Sequence, residues 1–169
     1  TYPNALGVDV ARMGHNESVI AHRHGDRTRI LDSVKGLDAN ELEARIRTAA
    51  KDVGARDVFI DAIGVGGPVA DHLKHDRGYR THAVTVSNKA RNSTKFLNLR
   101  AELMWNVRDR IERNALDLDP NDRKLGAQLC EPKWFYTRKE QIQIEAKEDL
   151  LKRGVQSPDR ADAVMLANA

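Results

Sequence analysis

The sequence predicts an α/β domain: a central mixed five-stranded sheet flanked by helices, with an added β-hairpin near the C-terminal part. Three apolar runs, at 5–11, 17–24 and 28–35, are joined by links that suit antiparallel neighbours, with turn signals at Gly14 and Gly25-Asp26. Strand and helix patterns then alternate, and right-handed crossovers place the later strands parallel to the first. The chain of 169 residues is long enough for one compact core. Its single cysteine, Cys130, excludes an internal disulfide and a thiolate metal cluster.

Along the chain, "DANELEARIRTAAKDVG" places Leu42, Ile46 and Ala49 or Ala50 at helical spacing, with Asp38 or Asn40 as cap and Gly54 as stop. "DVFIDAI" (57–63) is a buried-strand run, followed by the glycine-rich "GVGG" and a helix over 68–76. "YRTHAVTV" is the fifth strand. Beyond it lie a long helix over 96–114, a shorter one over 121–131, and the hairpin "WFYTRKEQIQIEA" with Arg138-Lys139-Glu140 at its tip. The final helix opens at "SPDRADAV", with Ser157 as N-cap and Pro158 in the first helical position. Residues 1–169 read as a single domain cut from a longer chain, with no signal peptide, membrane-length run, repeat or linker.

Charged residues make up 31% of the sequence, and 28 cations against 25 anions leave a formal net charge of only +3. Local clusters therefore matter more than the total, because screening confines each charge to about 8 Å. Such clusters are Lys89, Arg91 and Lys95 in "SNKARNSTKF", Arg138 and Lys139 at the hairpin tip, and Lys152, Arg153 and Arg160. A solvated loop looks the same, so each alone is ordinary.

Three acids break the apolar patterning. Asp9 shares a strand face with Gly7 and Ala11, small neighbours that leave it room. Asp61 closes Val58-Phe59-Ile60 at the carboxyl end of its strand, where α/β sheets usually bind ligands. Asp162 shares a helical stripe with Met165 and Leu166, so a packing face carries a charge. Asp9 can instead pair with Arg12, Asp61 can cap the glycine turn, and Asp159, one turn before Asp162, suits a helix N-terminus without any function; Asp162 is harder to dismiss. If they converge, two carboxylates about 4 Å apart repel by about 4 kcal/mol at an effective dielectric near 20. Lysines or hard divalent cations are the remedies, and two such ions activate water against a phosphodiester.

Four segments in order, "GVDVARMGHNESVI", "VFIDAIGVGGPVADHL", "NLRAELMW" and "IQIEAKEDLLKRGVQSPDRADAV", resemble the C-terminal nuclease domain of the large terminase subunit of tailed bacteriophages. The resemblance implies a ribonuclease H-like fold. It also implies a metal-dependent endonuclease that cleaves concatemeric double-stranded DNA during genome packaging. It carries catalytic and metal-ligand roles onto Asp9, Asp61 and Asp162, with Asp159 as a further ligand and Mg²⁺ or Mn²⁺, two ions, as cofactor. Lys89, Arg91, Lys95, Lys147 and Arg160 become DNA-binding candidates, Lys147 beside the scissile phosphate. Implied partners are double-stranded DNA, an ATPase domain in the full chain, the small terminase subunit and the portal protein, in the host cytoplasm and away from membranes. Relatives often place an acid after the first strand, where this chain has Gly14-His15-Asn16 and then Glu17.

The residues contain no G-x-x-x-x-G-K-[ST] loop, so this segment is expected to cut and not to translocate. "GVGGPV" lacks dinucleotide-loop spacing and reads as a tight turn. A Holliday-junction resolvase uses a similar acid set, and a non-catalytic DNA- or portal-binding module of the same fold is a further alternative. An actin-like or sugar-kinase ATPase needs a second domain. The pairs His22/His24 and His72/His75 lack a third ligand and read as surface imidazoles. Met104 and Trp105 read as core; Trp134, Phe135 and Tyr136 open the hairpin, where an aromatic could stack on a splayed base, but packing is their expected fate.

Overall fold

A computed structural model describes residues 2–11 and 16–169. Strands β1 (Asn4–Asp9), β2 (Glu17–His24) and β3 (Arg27–Lys35) form an antiparallel meander. Strands β4 (Asp57–Asp61) and β5 (Arg80–Val84) add in parallel on the other side of β1, giving the order β3-β2-β1-β4-β5. This is the mixed sheet of a ribonuclease H-like fold. Arg12, Gly14 and His15 lie outside the described residues, and with them the proposed Asp9–Arg12 pair and any role of His15.

Helix α1 (Ala39–Val53) crosses from β3 to β4, and α2 (Gly66–Leu73) from β4 to β5. Asp38 and Glu41 form a reciprocal capping box that satisfies two orphan amides at the start of α1, and Gly54 ends it with φ 61°. Both helices cover one sheet face, where Leu6, Val8, Val58 and Ile60 meet Ile46 and Leu73. Helices α3 (Leu99–Glu112), α4 (Arg123–Cys130) and α6 (Asp159–Ala167) cover the other, burying Val19 and Ala21 against Leu103, Leu125 and Met165. Strand alternation thus puts Val8 on the α1/α2 face and its neighbours Gly7 and Asp9 on the α6 face.

Several boundaries differ from expectation. Helix α2 starts at Gly66 and puts Pro68 third, a position where the missing N–H costs nothing because first-turn amides have no intrahelical acceptor. Helix α6 starts at Asp159, so Pro158 holds the cap position and Ser157 does not cap it. A short helix α5 (Lys147–Lys152) was not foreseen; six residues are too few for a clear period.

The hairpin pairs β6 (Trp134–Tyr136) with β7 (Ile142–Ile144). Its tip holds Glu140 at φ 59°. Trp105 is buried and Met104 half-buried, as expected. The expectation that Trp134, Phe135 and Tyr136 pack away is corrected: they remain 45%, 47% and 63% exposed, because β6 is the outer strand of a two-stranded ribbon. Among the described residues no helix is long and apolar enough to cross a membrane.

Candidate active site

The position of the site follows from how closely α6 lies on β1. A Cβ at Gly7 would stand 2.2 Å from both the Ala163 carbonyl oxygen and the Ala167 amide nitrogen, so only glycine admits the helix here. Two residues on, roughly 6.7 Å along the strand, comes Asp9 on the same face. Back along α6 from those contacts, Asp162 is one residue before Ala163 and five before Ala167, and Asp159 four and eight, at roughly 1.5 Å of rise per residue. Matching rises therefore bring Asp9 opposite the acidic first turn of α6.

Asp61 arrives through the sheet. β1 and β4 are parallel and paired through Val8–Ile60, so Asp9 and Asp61 end neighbouring strands side by side. Asp61 shares the face of Phe59, which packs on the α3/α6 side. Its Oδ1 accepts a hydrogen bond from the Ile63 amide at 3.1 Å, so the turn-capping alternative holds as well. The turn is tight: a Cβ at Gly66 would stand 1.8 Å from the Asp61 carbonyl oxygen.

The acids border a cleft of roughly 530 Å³ whose walls include Asp9, Asp61, Asp159, Arg100, Gln143 and Lys147. Asp9, Asp159 and Asp162 are buried. Lys147, the first residue of α5, reaches in from the other side, with Nζ 2.6 Å from Asp162 Oδ2 and 3.8 Å from Asp9 Oδ2. The shorter contact is a charge contact and not an aligned hydrogen bond, and both Asp162 oxygens lack a hydrogen-bond donor. Four carboxylates thus face two cations.

The second cation, Arg100, was quoted within a resemblance motif but given no role from sequence. Its Nη1 donates to the Glu145 carbonyl at 2.9 Å, and Nη2 lies 3.7 Å from Asp162 Oδ1. Nε and Nη2 are buried without an acceptor. A signal was present: Arg100 follows the N-cap Asn98 by two residues on a helix whose next residues are core, so a buried cation needed a carboxylate.

Burial, above all, drives Asp9 well above the usual carboxylate range; Lys147 opposes this, and Asp162, Asp159 and Asp61 add to it. Burial likewise raises Asp61 and Asp159, each partly offset by a backbone amide, from Ile63 and Glu17 respectively. For Lys147 burial works downward, but Asp162 and Asp9 outweigh it and hold the ammonium above its ordinary value.

Asp9 binds its proton more tightly folded than unfolded, so it removes stability as pH rises from the ordinary carboxylate range through its raised value. Asp9→Asn is therefore expected to melt above the wild-type chain at pH 8 in chelator, with the gap closing towards pH 4. Thermal denaturation by circular dichroism measures it, and Mn²⁺ should raise the wild-type midpoint more than the variant's.

The candidate DNA contacts are spread unevenly. Lys89 and Arg91 are exposed on the loop before α3. That loop is fastened from below by buried Glu102, which accepts from the Arg91 and Asn92 amides at 2.7 and 3.2 Å. Lys95 Nζ lies over the Phe96 and Trp105 rings at 5.2 and 5.9 Å. Lys147 sits among the acids, and Arg160 is tied to Asp122 at 2.9 Å. Glu17 points elsewhere: its carboxylate meets Lys124 and Ser33, and only its amide serves the site, donating to Asp159 Oδ2 at 3.1 Å. His22 is hydrogen-bonded to Asn4 and His72 to Glu43, as befits surface imidazoles.

The donor set is all carboxylate oxygen, the chemistry of a hard divalent cation. The buried oxygens of Asp162, which face Lys147 and Arg100 but accept no aligned hydrogen bond, fit such an ion. As the side chains stand, no three acids or imidazoles among the described residues are grouped to ligate one ion; Lys147 supplies the positive charge between Asp9 and Asp162 instead.

An α/β domain of ribonuclease H-like fold with an acid-lined cleft at the carboxyl ends of its parallel strands defines the class. The solved structures it resembles are viral nuclease domains. The nuclease domain of the large terminase subunit gp2 of bacterial virus Sf6 matches with a TM-score of 0.89 and 19% identity over 100% of this chain and 90% of that one. The large terminase nuclease of thermophilic phage G20c matches at 0.74 and 18%, over 98% and 81%. The Thermus phage P74-26 domain matches at 0.70 and 18%, over 98% and 78%. No family model and no curated protein matches the chain.

Proposed function

We propose that this chain is the nuclease domain of a tailed-phage large terminase subunit, a metal-dependent endonuclease that cleaves concatemeric double-stranded DNA during genome packaging. The observation that carries this reading is the gathering of Asp9, Asp61 and Asp159 from two strands and a helix around one cleft, with buried Asp162 beside them on Lys147 and Arg100. The Sf6 domain has been solved with manganese and with calcium, and the G20c domain with bound magnesium and with bound cobalt, which supports a divalent requirement.

In this reading Asp9, Asp61, Asp162 and Asp159 would hold two Mg²⁺ or Mn²⁺ ions. Such ions supply Lewis acidity for water attack on a phosphodiester and for the departing oxygen. The chain's own groups do the rest. The sheet ends and the close α6–β1 contact fix the carboxylates before substrate arrives, which removes reorganisation from the reaction. Lys147 donates to a non-bridging phosphate oxygen, and Lys89, Arg91 and Lys95 hold the backbone without reading sequence. Arg160, braced by Asp122, extends that surface. The domain works within a longer chain with an ATPase domain, alongside the small terminase subunit and portal protein, in the host cytoplasm.

Purified protein is expected to nick supercoiled plasmid in Mn²⁺ and to stop in chelator. Inactivity under all divalent metals would leave a non-catalytic module. At equal salt, linear duplex should be cut at least as fast as a four-way junction; strong preference for the junction would favour a resolvase.

A further inference from the structure

The hairpin carries chemistry that duplex cleavage does not use. Its inner strand β7 is fastened to the body: Ile142 donates to the Lys95 carbonyl at 2.7 Å and accepts from Leu97 at 3.0 Å, and its side chain is buried. The outer strand β6 is three consecutive aromatics, all about half exposed. Trp134 stands edge-on to buried Trp105 at 4.9 Å, and Tyr136 edge-on to Trp134 at 5.4 Å, so this pair is held in place. Phe135 lies on the opposite ribbon face beside Gln143 and, among the described residues, stacks on no other ring.

Position and charge say what covers these rings. Gln143 and Ile144 line the acid cleft, so β6 lies one strand spacing, roughly 4.8 Å, beyond the cleft wall. Lys133, Arg138, Lys139 and Lys95 surround the ribbon, and among the described residues none of their side-chain nitrogens forms a salt bridge, although the Lys133 amide donates to Glu145 at 3.0 Å and Lys95 lies over the Phe96 and Trp105 rings. A duplex offers its phosphates to such cations but keeps its base faces stacked. Exposed aromatic rings beside cations without carboxylate partners match single-stranded nucleic acid, whose bases present free faces.

We propose that the hairpin is a binding platform for unpaired nucleotides, with Phe135 stacking on a base beside the cleft. This goes beyond the duplex-cleaving function above and rests on it only for placing DNA in the cleft. The platform would hold a strand end or a locally opened segment next to the cut.

The test measures binding in chelator, by anisotropy of a labelled twelve-nucleotide oligo-dT and of a twelve-base-pair duplex at the same salt. The wild-type chain is expected to bind oligo-dT with quenching of tryptophan fluorescence. Phe135→Ala should bind it roughly tenfold more weakly, Phe135→Tyr should restore it, and duplex affinity should stay within about twofold in both. Equal loss for both probes, or no loss, would overturn the proposal. So would a wild-type dimer that Phe135→Ala converts to monomer, since the rings would then meet a second copy. A chain that nicks plasmid but ignores oligo-dT loses this inference alone; one that binds oligo-dT through Phe135 and never cuts loses the proposed function alone.

Discussion

Asp61→Asn is expected to abolish plasmid nicking in Mn²⁺ while leaving the fold intact. The two consequences come apart because the Asp61 oxygens do different things. Oδ1 accepts from the Ile63 amide, and the asparagine carbonyl oxygen can accept the same bond, so the turn into α2 survives. The charge is what disappears. Burial already works against that charge, so the neutral side chain folds at no penalty. In the proposed mechanism, however, a neutral amide is a poor ligand for a hard dication, and one ion loses its carboxylate. Agarose-gel conversion of supercoiled plasmid measures activity, and a melting curve confirms the fold. Full nicking by a folded Asp61→Asn, together with full nicking by Asp162→Asn, would remove the proposed chemistry. Asp162→Asn is less clean, because it leaves the ammonium of Lys147 without its nearest partner.

The largest expected stability loss comes from a methyl group. Gly7→Ala should destabilise the domain by more than about 3 kcal/mol, the upper end of ordinary overpacking. Both atoms within 2.2 Å of the new Cβ belong to the α6 backbone, so no side chain can swing away and the whole helix must lift. Asp159 and Asp162 ride on that helix, so surviving molecules should also lose Mn²⁺ binding. Gly126→Ala is the control. Gly126 lies within α4 with nothing within 4 Å of its Cβ position, and alanine there should stabilise by roughly 0.5–1 kcal/mol. Urea titration of both variants reads the difference. A Gly7→Ala chain as stable as wild type would mean that α6 does not seat on β1 as described.

Much of this was legible because it is local. The meander and crossovers follow from short links and alternating periods, and Asp38 and Gly54 mark helix ends by their own chemistry, whereas the N-cap Asn98 fell inside a helix expected over 96–114. Asp9, Asp61 and Asp162 stood out because each puts a charge where packing wants none. The misjudged features are not local. The rings of β6 stay exposed because no third strand or helix covers that ribbon edge, which nothing in "WFY" announces. Whether Glu17 faces the site was equally illegible: Lys124, 107 residues away, claims its carboxylate.

By itself, the sequence determined which side chains are anomalous and on which faces of their elements they stand, since strand and helix periods fix facing without any partner. Only the tertiary structure decided who answers whom: that Gly7 lets α6 close on β1, that Lys147 reaches both Asp9 and Asp162, and that Arg100 stands behind them. Those pairings join residues separated by up to about nine-tenths of the chain, and the electrostatic energy of such contacts depends on distance in space, which chain order does not carry.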